Sequence, residues 1–136
     1  MQVIIKNWGV QVWQYREVIM VMRAGTRTSI HLHRHHDTHL EGVSGKCWIN
    51  RFSDDLQCSQ GVLLTAGDHM EVPRSVLHEI HATTDCVIRE RYSAVGCGTS
   101  IDPIDDIERM SHTELCQAYG MWDDNTNNPL IKGDRT

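Results

Sequence analysis

The segment His31-Leu32-His33 sets two imidazoles two residues apart. On a strand such a pair leaves from one face, so it can chelate a single divalent metal ion. His35 would join that face if the strand continued. Five histidines fall between His31 and His39, and the chain holds nine. A crowded, solvated polar edge is the competing explanation of the run. A second group with chemical capacity is Arg89-Glu90-Arg91-Tyr92. Alternation turns either the two arginines or Glu90 and Tyr92 inward. Inward arginines would suit a phosphate or carboxylate substrate, through planar bidentate contacts. Glu90 and Tyr92 would instead supply an acid–base pair. Two like charges buried beside a metal cation are the costlier arrangement. Glu90 and Tyr92 are therefore the expected inward, catalytic pair, with the arginines in solvent.

These groups sit among short strand candidates at residues 10–14, 17–22, 28–33, 40–44, 47–52, 61–65, 69–72, 78–82 and 86–92. Gly, Asp and Ser turn signals separate them, and no helical period intervenes, which points to an antiparallel sandwich or barrel. After Pro103 the texture changes. Residues 104–110 and 112–119 read as short helices, and 120–136, with its Asp-Asn run, as a weakly ordered tail. The expected organisation is a barrel over 1–100 and a C-terminal appendage over 101–136. With 136 residues, 40% of them apolar, the chain suits one globular domain. No apolar run approaches the roughly 18 residues of a membrane span, and the start lacks the pattern of a signal peptide. A net charge of −5 without a Lys/Arg run disfavours nucleic acid as a partner. Five cysteines, odd in number and never C-x-x-C, fit a reducing compartment, so a cytoplasmic location is expected. They read as buried small hydrophobes. Trp8, Trp13 and Trp48 read as core or dimer packing, Glu79 and His81 as surface, and His69 and His112 as structural.

Read with their spacing, Gly25, His31, His33 and Gly45, then Gly67, Pro73 and His78, resemble the two-part signature of the cupin family. The family patterns are G-x5-H-x-H-x3,4-E-x6-G and G-x5-P-x-G-x2-H-x3-N. Three positions depart: Thr38 stands for Glu, Ser75 for Gly and Ala82 for Asn. The resemblance implies an all-β double-stranded β-helix, the cupin or jelly-roll barrel, here with a short C-terminal helical appendage. It also implies that His78, from a different strand, completes a metal site with His31 and His33. Three imidazoles leave positions open and suit Mn, Fe, Ni or Zn. The motif carboxylate is missing. Glu41 lies three residues late and should face the opposite side of the sheet, so Thr38 is expected in the vacated place, holding a metal-bound water through its hydroxyl.

The chain is also similar to the small sugar-phosphate isomerase branch of cupins. The matching pieces are Lys6-Asn7-Trp8-Gly9, Val21-Met22-Arg23-Ala24-Gly25, the run from His31 to His36, Val43-Ser44-Gly45-Lys46 and Asp105-Asp106-Ile107-Glu108-Arg109. That resemblance implies a metal-dependent enzyme acting on a small-molecule sugar or sugar phosphate, with proton transfer between C1 and C2. Two alternatives stand beside it: a three-histidine Fe(II) dioxygenase-type cupin, and a module that binds ligand or metal without turnover. A homodimer formed through edge strands is the expected assembly.

Overall fold

Alternation settles the strands locally. Along Glu17–Met22, Val18, Met20 and Met22 are buried while Glu17, Ile19 and Val21 are not. A computed structural model of the chain describes residues 1–57, 59–96, 100–111 and 113–115. Its strands are β1 (Gln2–Lys6), β2 (Gly9–Gln14), β3 (Glu17–Met22), β4 (His31–Leu32), β5 (His36–Ser44), β6 (Lys46–Phe52), β7 (Ser59–Thr65), β8 (His69–Val72), β9 (Leu77–Ala82), β10 (Cys86–Ala94) and β11 (Glu108–Arg109). They form a six-stranded sheet, β1-β2-β3-β10-β5-β8, and a five-stranded sheet, β11-β4-β9-β6-β7. Every named strand pairing is antiparallel. The expected all-β architecture of two antiparallel sheets is the observed one.

The inner faces share one core, which includes Trp8, Trp13 and Met20 from the first sheet and Ile49, Leu64 and Ile80 from the second. Each such side chain contributes about 1.5–3 kcal/mol when removed from water. Ile30, Leu32, Phe52, Leu56, Leu77 and Leu115 make a second, smaller core. By alternation Leu32, Phe52 and Leu77 point away from the barrel interior, so the chain after the barrel covers the back of the five-stranded sheet. Trp48 is not core; it is 38% exposed.

Several expectations are corrected here. Only His31–Leu32 of 28–33 is a strand, because the preceding residues leave the ladder: Thr28 donates to Ile80 O through its backbone and accepts from Ile80 N through its hydroxyl. The helix expected at 104–110 is absent. Pro103–Asp105 forms a single 3₁₀ turn, started by Pro103 and capped by Asp102, whose carboxylate accepts from Ile104 N. The chain then extends, and Glu108 and Arg109 pair with Leu32 and His31. Of the helix expected at 112–119, residues 113–115 are helical. His112, residues 116–119, the tail at 120–136 and Cys58, Cys97 and Cys116 lie outside the described residues. Cys47 and Cys86 are buried free thiols, as expected.

Gly45 closes the β5–β6 turn at φ 74°, and a Cβ there would lie 2.1 Å from Asp85 O. Gly67 has φ 88° but open space around it. Gly45→Ala is therefore expected to destabilise the fold by about 3 kcal/mol, combining left-handed strain with overpacking, against about 1 kcal/mol for Gly67→Ala. Chemical denaturation of both variants checks this, and equal midpoints would refute the steric account.

Candidate metal centre

β4 and β9 are neighbours, and His31 is the register partner of His78. His33 follows two residues after His31, so all three rings meet inside the barrel. Their centroids lie 4.4, 5.1 and 5.4 Å apart. One ligand atom from each lies within 4.8 Å of the others, and all three residues are buried. The Nδ1 atoms are engaged elsewhere: His31 donates to Ser29 O at 2.7 Å, His33 to Asp106 O at 2.5 Å and His78 to Val76 O at 2.8 Å. Carbonyl acceptors hold each proton on Nδ1, which leaves Nε2 as a lone-pair donor, the tautomer that a metal requires. The buried Nε2 atoms of His33 and His78 have no partner. An orphaned donor pair of this kind fits a cation, so the three residues could hold a divalent metal.

Burial and mutual repulsion keep the cluster neutral. The His78 imidazole is pushed down to about 4, first by burial and then by His33. His31 is held well below the usual range by burial, with His78 and His33 adding to the effect. Burial also lowers His33, against the pull of the Asp106 carbonyl.

β10 resolves the register left open by alternation. Glu90 and Tyr92 are 4% and 6% exposed, and the Tyr92 hydroxyl donates to Glu90 Oε2. Tyr92 stands edge-on to His33 with centroids 5.3 Å apart. Arg89 and Arg91 face outward: Arg89 pairs with Glu17 and Glu41, and Arg91 with Glu17. The route to an anionic substrate through these arginines therefore falls. Glu41, engaged by Arg89 on that outer face, is outside the histidine cluster, while Thr38 is fully buried with a hydroxyl that meets no partner. Burial raises Glu90 to about 7, although the Tyr92 hydrogen bond opposes the shift. Tyr92 is raised well above its ordinary value by burial and then by the Glu90 charge.

Asp106 is the residue that the sequence reading missed as a site organiser. It is buried; its carbonyl holds His33, and its carboxylate accepts from Arg34 N, His35 N and His36 Nδ1 at 3.1, 2.9 and 2.6 Å. Burial alone would raise its carboxyl, but these hydrogen bonds outweigh it and keep the group ionised. The acidic 105–109 segment was its only signal. Glu79, expected at the surface, is instead fully buried. It accepts from Arg27 and Asn50 at 2.9 and 3.1 Å, because β9 is an inner strand of its sheet and both its faces are covered. His69 is exposed and bonded to His39, away from the cluster.

A cavity of about 90 Å³ opens beside the histidines, walled by Trp8, Trp13, Met20, His31, His33, Glu90 and Tyr92 among others. This lies well below the roughly 300–1,000 Å³ of drug-sized sites, so it suits a small ligand.

No protein-family profile matches the chain, and no curated protein matches it. Solved structures do. A Drosophila melanogaster CENP-C cupin domain superposes with TM-score 0.53 at 16% identity, covering 60% of this chain and 62% of that one. The chain has a cupin fold. Two other structures with this fold extend the comparison. CapF, a capsular polysaccharide assembling protein known from Staphylococcus aureus, gives, with the inhibitor 3-isopropenyl-tropolone, TM-score 0.64 at 15% identity over 81% of this chain and 34% of that one. Oxalate decarboxylase from Bacillus subtilis gives 0.59 at 13% identity over 87% and 31%. The chain thus spans about a third of CapF and of oxalate decarboxylase. No helix among the described residues is long and apolar enough to cross a membrane.

Proposed function

We propose that the protein is a metal-dependent enzyme that isomerises a small hydroxy-carbonyl compound, a sugar or sugar phosphate. The observation that carries this reading is the cavity itself, where His31 and His33 share walls with a buried carboxyl poised near neutrality. A divalent ion on His31, His33 and His78 would polarise the oxygens of the substrate's carbonyl and hydroxyl groups. Glu90, as carboxylate, takes the proton from the hydroxyl-bearing carbon and returns it to the adjacent carbonyl carbon. The hydroxyl proton moves to the former carbonyl oxygen, so the interconversion balances without a co-reactant. A general base near pH 7 suits this role. Tyr92 stays protonated and orients Glu90 through its hydrogen bond. The orphaned Thr38 hydroxyl is available to a bound water.

The test begins with metal analysis of protein purified without a histidine tag. Anaerobic Mn(II)- or Zn(II)-loaded protein is then expected to interconvert an aldose and its ketose. Among the described residues the cluster holds three histidines and no carboxylate, which favours a second reading, an Fe(II) dioxygenase. Oxygen uptake with Fe(II) and no sugar interconversion would replace the first reading with the second. Tight ligand binding without either reaction would make the protein a binding module.

A further inference from the structure

Two cations border the same cavity. Lys6, at the end of β1, and Arg109, on β11, both line it together with His31 and His33. Neither forms an ion pair or a side-chain hydrogen bond among the described residues. Four other guanidinium groups find carboxylates: Arg27 takes Glu79, Arg34 takes Glu108, Arg89 takes Glu17 and Glu41, and Arg91 takes Glu17, while Arg23 and Arg51 find the Asn7 carbonyl and the Gln60 amide oxygen. Glu108, next to Arg109 in sequence, is thereby already occupied. The two cations are also close enough to feel each other. Burial lowers the Lys6 ammonium, and the Arg109 charge lowers it further. Lys6 is half-buried and Arg109 exposed, so solvent reaches both charges at the cavity.

We propose that Lys6 and Arg109 form the specificity site for an anionic oxygen group on the substrate, a phosphate or a carboxylate. This deepens the reading above and rests on it for the reacting end of the substrate. Arg109 supplies a planar fork matched to two oxyanion oxygens, and Lys6 supplies a point charge on a flexible stem. Their origin fits a specificity role: β1 and β11 lie at the ends of the two sheets, and neither carries a metal-centre histidine. The substrate's neutral, reacting part would lie inward against the histidines and Glu90, and its anionic end would sit between the cations.

The matched probes are dihydroxyacetone, dihydroxyacetone phosphate and hydroxypyruvate, which share a hydroxy-carbonyl unit and differ in charge. Calorimetric titrations are run on the Co(II)-loaded and the metal-free wild type and on Lys6→Met and Arg109→Met. In the wild type at least one anionic probe is expected to bind about 10-fold or more tighter than dihydroxyacetone. Which one does so separates phosphate from carboxylate. Each variant should lose about 10-fold or more of that anion's affinity while dihydroxyacetone binding and metal stoichiometry stay unchanged. Arg109→Lys should recover only part, because charge returns without the fork. Equal affinity for all three probes, or variants that leave anion binding intact, would overturn the inference with the metal centre untouched. Failure to load metal while anion binding still depends on Lys6 and Arg109 would overturn the parent reading and leave the anion site standing.

Discussion

His78→Ala is expected to weaken binding of a divalent ion by about 10²–10⁴-fold and to abolish stoichiometric metal in purified protein. Apparent binding energies of closed metal sites run to roughly 10–16 kcal/mol, so one ligand in three or four represents about 3–5 kcal/mol. The fold should survive, because Ile80, Ala82 and Leu77 on the same strand keep β9 anchored in both cores. The control is His69→Ala. His69 is a histidine of the outer face, bonded to His39, and its loss should leave metal content unchanged. The buried triad should also hold metal at lower pH than exposed imidazoles do, since His78 does not protonate until about 4. Metal analysis and competition titration with a chromogenic chelator decide the matter. Stoichiometric metal in His78→Ala, or equal loss in His69→Ala, would remove the proposed centre.

Glu90→Gln is expected to lower turnover by about 10²–10⁴-fold and at the same time to raise stability above neutral pH. The sign follows from the Glu90 carboxyl, raised to about 7 in the fold against an ordinary 4.5. Between those values the folded chain keeps a proton that the unfolded chain has released, so stability falls as pH rises and levels off above 7. For a shift of that size the loss is about 3 kcal/mol. The histidines act in the opposite sense. His31, His33 and His78 are all lowered, so below about 6.5 the unfolded chain binds more protons and stability falls as pH falls. Metal-free Glu90→Gln should therefore gain more stability from pH 5 to pH 8 than wild type does, because it keeps the histidine effect and loses the opposing decline between 4.5 and 7. Urea unfolding at pH 5, 6.5 and 8 measures the difference. A variant whose profile runs parallel to the wild type would show that Glu90 does not carry that decline, and unchanged turnover would remove it from catalysis.

The His31–His33 pair and the turns were legible because they depend on short-range rules, and the cupin resemblance supplied His78. His31 and His33 share a face by strand alternation, and Gly25, Gly45 and Gly67 all adopt the positive φ expected of strand-to-strand turns. Even a departure proved informative: Ser75, where the cupin motif has Gly, keeps a left-handed φ of 64° and donates its N–H to His33 O at 2.7 Å. Alternation alone left residues 89–92 with two registers, and only the pairing of β10 between β3 and β5 selects one. Glu79 was misread because the sequence does not show that β9 is covered on both faces. The 103–109 segment was misread because its conformation answers to distant partners: Asp106 satisfies groups on residues 33–36, and β11 exists only as an addition to β4. Such contacts have no local periodicity to read. Lys6 and Arg109, brought together from opposite ends of the barrel sequence, escaped for the same reason.

The bond from His33 to Asp106 spans 73 residues, and its consequence lies in the order of events during synthesis. A nascent chain that has just exposed β10 already owns His31, His33, His78, Glu90 and Tyr92, yet His33 lacks the acceptor that fixes its tautomer. Asp106 is made after β10, whose pairing with β3 and β5 already bridges comparable separations, so the barrel can form before its histidine cluster is finished. The histidine cluster would then be set only when the strand carrying Glu108 and Arg109 docks beside β4.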